Sequence, residues 1–374
     1  MATYAAPRIA ASIVLAKTAL QQVIDNLRAQ RFKVIGPVKN DSAIVLEEIE
    51  RIEQLPIGWT AQQRPGAYKL VNTGGGEYFG SALGPHSWKQ FLHLPRIDVL
   101  VSKKVDGGWT FEPASDDPPP QAFLGVRACD LQAIQLLDRV FLNSYTDPHY
   151  AKRRQRLFII AVNCNTPSEN CFCQSMHSGP RAETGYDLAI TELPDAFLMH
   201  IGSEAGSDVL NGVNWMPATA FDLGRATQMM QRAQSQFAKS VLTEDLPHVL
   251  FDNLEDARWD QIGARCLSCA NCTMVCPTCF CNTMEDRITL DGQTATRTRV
   301  WDSCFVMDFS HMHAGNSRAT TRARYRQWLT HKFASWKDQF GSLGCVGCGR
   351  CTTWCPVGID ITDEVRALRG LEAK

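Results

Sequence analysis

Cys266, Cys269, Cys272 and Cys276 are followed by Pro277, and Cys345, Cys348, Cys351 and Cys355 are followed by Pro356. Each run reads C-x2-C-x2-C-x3-C-P. Three thiolates at this spacing wrap one face of an iron-sulfur cube, while a fourth, carried on past a proline, ligates the other cube in two-cluster ferredoxins. Two [4Fe-4S] clusters are expected. A zinc site would use the C-x2-C pairs and leave the third and fourth cysteines of each run without a task, so a zinc-stabilised scaffold or nucleic-acid module is the distant alternative.

Four further cysteines, Cys129, Cys164, Cys171 and Cys173, fall in a stretch with alternating strand and helix patterns. Ala122 to Val126 is strand-like, Asp130 to Phe141 has helical spacing in Leu131, Ile134, Leu137 and Val140, and Leu157 to Val162 is a continuous apolar strand. This is one βαβ unit. Its right-handed crossover makes the strands parallel, so Cys129 and Cys164 leave them on one sheet edge, where ligand sites form. The loop Asn165 to Asn170 then returns Cys171-Phe172-Cys173 to that edge, completing four thiolates for a candidate third [4Fe-4S] cluster. The alternative is that these thiols pack in apolar surroundings. Cys279, Cys281 and Cys304 either ligate a cluster with a non-cysteine fourth ligand or lie beside the cubes.

The elements that must carry these residues divide the chain into three regions. Residues 1–115 hold no cysteine and open with Leu20, Val23, Ile24 and Leu27 at helical spacing, then a strand Phe32 to Ile35 stopped by Gly36-Pro37. They read as an N-terminal α/β region. Asp116 to Pro120, with three successive prolines, reads as a linker or long loop. Residues 121–220 form the α/β region with cysteine-bearing loops, including further strands at Ala189 to Leu193 and Phe197 to Ile201. From 223 to 374 the signal is helical, with Leu223 to Leu242 its best case, and this is the expected ferredoxin-type domain with two clusters. The fold class is thus α+β and multi-domain.

With 374 residues, 15 cysteines and a net charge of −1, the chain has a globular composition and no global attraction to nucleic acid or anionic membrane. No apolar run approaches the roughly 18 residues that span a bilayer. Fifteen cysteines are explained by metal in a compartment that keeps thiols reduced, and the chain is expected in the cytoplasm. Between Gln293 and Lys337 lie eight Lys or Arg and two Asp. Such a tract stabilises an anionic cube or docks an acidic partner, with Arg322 and Arg326 sharing a helix face. His311 and His313 lack partners for a zinc site. Gly74-Gly75-Gly76 lacks the spacing of a dinucleotide loop and reads as a turn. No autonomous catalytic site is seen.

The long, helix-rich separation of the two runs resembles the α-helical ferredoxin domain of succinate dehydrogenase type iron-sulfur subunits, over about residues 250 to 365. That resemblance implies crossed ligation: Cys266, Cys269, Cys272 and Cys355 for one cluster, Cys345, Cys348, Cys351 and Cys276 for the other. Phe123-Leu-Gly-Val-Arg-Ala-Cys-Asp130, Val162-Asn-Cys164, Cys171-Phe-Cys173, Gly185-Tyr-Asp-Leu188, Cys276-Pro-Thr-Cys279 and Trp301-Asp-Ser-Cys304 together resemble the beta subunit of cytoplasmic sulfhydrogenases, which are NAD(P)-linked [NiFe] hydrogenases. They are also similar to the electron-transfer, iron-sulfur component of anaerobic sulfite reductases. The resemblance implies an electron-transfer subunit between a flavin subunit that meets NAD(P)H and a catalytic one, a hydrogenase or alternatively a sulfite reductase. No nucleic acid and no membrane insertion enter that reading.

Overall fold

The computed structural model describes residues 6–371. Its largest element is an eight-stranded sheet whose spatial order is Met216–Pro217, Ser12–Ala16, Ala196–Ile201, Leu188–Glu192, Leu157–Val162, Gln121–Arg127, Lys33–Lys39, Ile44–Glu48. The four strands from Leu188–Glu192 through Lys33–Lys39 run parallel. Leu124, Ile160 and Val162 point to one face, against Leu20, Val23, Ile24 and Leu27 of the helix Leu20–Ala29. Phe123, Ile159 and Ala161 point to the other, against Leu131, Ile134 and Leu137 of the helix Ala128–Phe141. Alternating residues are therefore buried on both faces, as a parallel sheet sandwiched by helices requires.

This sheet corrects the expected boundary near residue 120. Lys33–Lys39 pairs with Gln121–Arg127, and Ser12–Ala16 pairs with Ala196–Ile201, so the first two regions share one sheet. The proline segment is a fixed crossing inside that unit: Asp116 accepts two bonds from Arg153, at 2.6 and 2.7 Å, and one contact from His149. The strand also continues through Gly36-Pro37. Its parallel partner covers only residues 33–35, so the missing N–H of Pro37 interrupts no ladder on that side.

The helical expectation for the last region holds in part. The helix expected from Leu223 to Leu242 is Ala220–Ser235, capped by Thr219 and Asp222. Between the cysteine runs the chain forms a hairpin, Asn282–Ile288 with Thr294–Trp301, which joins Arg96–Val105 and Gly108–Pro113 in a separate four-stranded sheet. Threonines, arginines and β-branched residues alternating over Thr294–Trp301 favour that strand. Helices build the core of this region. Arg258–Arg265 and Thr321–Thr330 bury Trp259, Ile262, Tyr325, Trp328 and Leu329 in one core with Ile361 and Val365 of the helix Ile361–Leu368.

Candidate iron-sulfur centres

The two C-x2-C loops repeat one backbone shape. Ser268 and Ala270 take φ values of 50° and 65°, and Gly347 and Gly349, at the equivalent places, take 63° and 73°. Left-handed residues turn the loop so that its N–H groups face the sulfurs: Ser268 N–H reaches Cys266 Sγ at 3.4 Å and Gly347 N–H reaches Cys345 Sγ at 3.3 Å. Such bonds tune the potential of a cluster held there. Glycine is required only in the second loop. A Cβ on Gly347 would stand 2.6 Å from the Phe172 carbonyl carbon, and one on Gly349 would stand 2.4 Å from the Asn170 oxygen. A short helix follows each loop, Asn271–Met274 and Arg350–Thr353.

Cys266, Cys269, Cys272 and Cys355 line one cleft, with Phe305, Tyr325 and Trp328 in its wall. Cys351 and Cys355 both reach this wall from the far run. Ile359 N–H donates to the Cys355 sulfur at 3.3 Å. Burial pushes the Cys266 and Cys272 thiols upward, Cys272 strongly. Cys269 is exposed.

In the second set, Cys276 is an electrostatic neighbour of each of Cys345, Cys348 and Cys351. Burial raises Cys345 to about 12 and lifts Cys351 well above its usual range. Cys276 behaves oppositely, held down by the Cys279 thiol and, against its burial, by the Lys332 ammonium. Lys332 lies in a wide π-turn, His331–Ser335, and donates to Cys276 Sγ at 3.3 Å, Thr278 Oγ1 at 3.1 Å and the Gly344 carbonyl at 3.0 Å. Burial opposes its charge, yet the Cys276 sulfur beside it, foremost among the neighbouring cysteines, keeps it protonated. Inserted turns of this kind recur where a helix must aim a functional side chain.

Cys129, Cys164, Cys171 and Cys173 line a third cavity, at the carboxyl ends of Gln121–Arg127 and Leu157–Val162. The parallel pairing expected from the sequence is observed, with Gln121 opposite Leu157. Burial raises Cys171 to about 12 and pushes Cys129 and Cys173 higher still. A buried thiol resists ionising in the bare chain, and bound metal removes that proton by supplying positive charge. Arg127 and Arg350 also enter the wall. Phe172 N–H donates to the Gly347 carbonyl at 2.8 Å, and a chain of bonds, Asn170 to Thr353 at 2.8 Å and Thr353 to Gln63 at 2.9 Å, ties this loop to the second run and to the hairpin Trp59–Arg64 and Ala67–Asn72.

Among the described residues, no three His, Cys, Asp or Glu side chains gather tightly enough for a single metal ion. Four thiolates spread around a cavity suit a cluster, in which each binds a separate iron. The three sets adjoin: Cys351 also lines the first cavity, and Cys348 also lines the third.

The basic tract, read in the sequence as cube support or a docking face, is partly paired within the chain. Arg322 and Arg326 both pair with Glu255, at 3.0 and 2.7 Å, and Arg297 pairs with Asp286. Arg299 pairs with Asp147, and the guanidinium of Arg324 turns inward to the Arg318 and Ala319 carbonyls. Part of the tract's charge is taken up by neighbouring segments. His311 lies in a small exposed hairpin with Asn316, and Gly74 to Gly76 form a loop after Ala67–Asn72. The residues that sequence reasoning left out are Lys89 and Lys332, whose burial among thiols follows from pairings remote in sequence.

Residues 265–359 match the family of 4Fe-4S dicluster domains. Sulfhydrogenase 2 subunit beta of Pyrococcus furiosus is 31% identical over 347 residues, covering 89% of this chain and 92% of that relative. No solved structure matches the chain. Identity at that level over most of both chains means that the chain belongs to the family of sulfhydrogenase beta subunits.

Proposed function

We propose that this chain is the iron-sulfur relay of a cytoplasmic hydrogenase-type complex, holding three [4Fe-4S] clusters in the order first set, second set, third set. The shared walls support this reading most directly: the second set contributes Cys351 to the first cavity and Cys348 to the third. When bound, the clusters supply one-electron redox chemistry, and the chain's part is to fix their spacing and potentials through burial, charge and bonds to sulfur.

The ligands we assign are Cys266, Cys269, Cys272 and Cys355 for the first cluster, Cys345, Cys348, Cys351 and Cys276 for the second, and Cys129, Cys164, Cys171 and Cys173 for the third. The unit of residues 6–220 carries the third set, and residues 223–371 carry the other two. Partners in this reading are a flavin subunit that meets NAD(P)H and a [NiFe] catalytic subunit. The relative's name favours hydrogenase over sulfite reductase. Among the described residues no helix is long and apolar enough to cross a membrane.

Anaerobic purification with the neighbouring subunits tests the reading. The isolated chain should be brown, hold about twelve iron atoms, four per cube, accept electrons from a strong reductant and show no turnover of hydrogen or NAD(P)H alone. A colourless, zinc-rich chain would sink it.

A further inference from the structure

The separate four-stranded sheet ends in two edge strands, and they are built differently. Its spatial order is Asn282–Ile288, Thr294–Trp301, Arg96–Val105, Gly108–Pro113. The first edge strand carries Glu285, Asp286 and Arg287 in succession, the kind of charged surface by which natural edges turn away another strand. Gly108–Pro113 carries one charge, Glu112, and all six of its residues are exposed, Phe111 at 66% and Trp109 at 42%.

The direction of its main-chain groups follows from the turn before it. Val105 and Gly108 face each other across the two-residue turn Asp106–Gly107, whose φ values are 46° and 82°. Residues flanking such a turn bond each other, and bonding alternates along the strand. Thr110 and Glu112 therefore bond inward, opposite Lys103 and Val101, and Ala114 N–H, next in that series, donates to the Val99 carbonyl at 3.2 Å. Trp109 and Phe111 point N–H and carbonyl groups outward. Pro113, which has no N–H, ends the row with an outward carbonyl.

We propose that this strand pairs with the same strand of a second copy of the chain, antiparallel about a two-fold axis at Phe111. That register sets Phe111 against its counterpart, where two main-chain bonds form, and sets Trp109 N–H against the Pro113 carbonyl of the copy, once on each side. Side chains alternate, so Trp109, Phe111 and Pro113 share a face with Leu100 and exposed Ile288. Strand addition here removes aromatic surface from water.

Charge selects a second copy as the occupant. Ion pairs within the sheet join Arg96 and Arg287 to Glu285, and Arg297 to Asp286, which leaves Lys103 and Glu112 without an ion partner among the described residues. Both lie on the face opposite the aromatic one, Lys103 beside Thr110 and Glu112 beside Val101. With Phe111 on the axis, Glu112 of each copy stands opposite Thr110 of the other, two strands or about 10 Å from the other's Lys103. A lysine and a glutamate reaching over the small threonine close that gap, and symmetry supplies the pair twice. The pairing depends on the fold alone and not on the clusters.

Sedimentation of the full-length, cluster-loaded chain, held anaerobically over a concentration series, should show a reversible change from one copy to two. Phe111→Pro removes an N–H that no bond within the chain uses, so it should abolish the two-copy species and leave iron content and thermal unfolding unchanged. Lys103→Glu and Glu112→Lys should each weaken association about tenfold, and the double variant, which exchanges the two charges, should restore it. Should the proline disturb the hairpin, the charge variants, which touch no main-chain bond, decide alone. A chain that stays single up to about 100 μM overturns the proposal. So does a two-copy species indifferent to Phe111→Pro, or charge variants whose effects add instead of cancelling. A chain that is single by itself and uses this strand only to hold a different subunit would overturn the second copy as occupant.

Discussion

Arg350 and Asp130, 220 residues apart in sequence, form a buried two-pronged ion pair, with bonds of 2.7 and 2.9 Å. Arg350 follows Cys348, and Asp130 follows Cys129, so this pair clamps the second thiol set to the third. Truncation to Arg350→Met would strand a carboxylate that is 1% exposed, at a cost of about 3–5 kcal/mol. Thermal unfolding of the loaded protein should show that loss, and the double variant Asp130→Leu with Arg350→Met should recover most of it. A double variant as unstable as the single would refute the account.

Crossed ligation makes Cys276→Ala and Cys355→Ala complementary. After reduction, electron paramagnetic resonance should show the second cluster lost in Cys276→Ala and the first lost in Cys355→Ala. If each variant loses the cluster of its own run, the exchange of ligands is wrong.

The third cavity gives a stoichiometric prediction. Cys164→Ala should lower iron from about twelve to about eight atoms per chain, with both ferredoxin-run signals retained. Wild-type protein that already stops near eight, unchanged by the substitution, would leave those four cysteines as buried thiols.

His93 supplies a pH dependence. Its ring is fully buried, stacked near Phe141 and Trp301, and neither ring nitrogen has a hydrogen-bond partner. Burial first, then Arg299 and Lys89, lower its pKa from 6.5 to about 3. The unfolded chain therefore binds the extra proton in that window. Stability is full above pH 6.5 and falls as pH drops, by up to about 1.4 kcal/mol per unit from this group. His93→Phe should flatten the thermal unfolding profile between pH 6.5 and 5.5; an unchanged slope would assign the dependence elsewhere.

Much of the site was legible because the cysteine spacing is local. The eight run cysteines and the loop cysteines at the ends of Gln121–Arg127 and Leu157–Val162 depend on motifs of a few residues and on one parallel pairing. What escaped depends on remote partners. Thr294–Trp301 alternates as a strand does, but its partner Arg96–Val105 lies about two hundred positions upstream, and nothing local announces that edge. Pro37 reads as a stop in the sequence because the free side of its strand shows only once the register is known. The arginine tract reads as a docking face for a similar reason, since Glu255 and Asp147 lie outside it.

The close backbone fit of Gly347 and Gly349 against residues 170–173 bears on how the protein is matured and mended. With so little room between those two loops, cofactor delivery to Cys345, Cys348 and Cys351 has to precede their closure. Exposed Cys269, by contrast, leaves the first centre reachable in the finished chain. Under the proposed relay, damage by oxygen would then be repairable in place at the first centre more readily than at the second, and labelled iron offered to intact protein should enter the first centre ahead of the second.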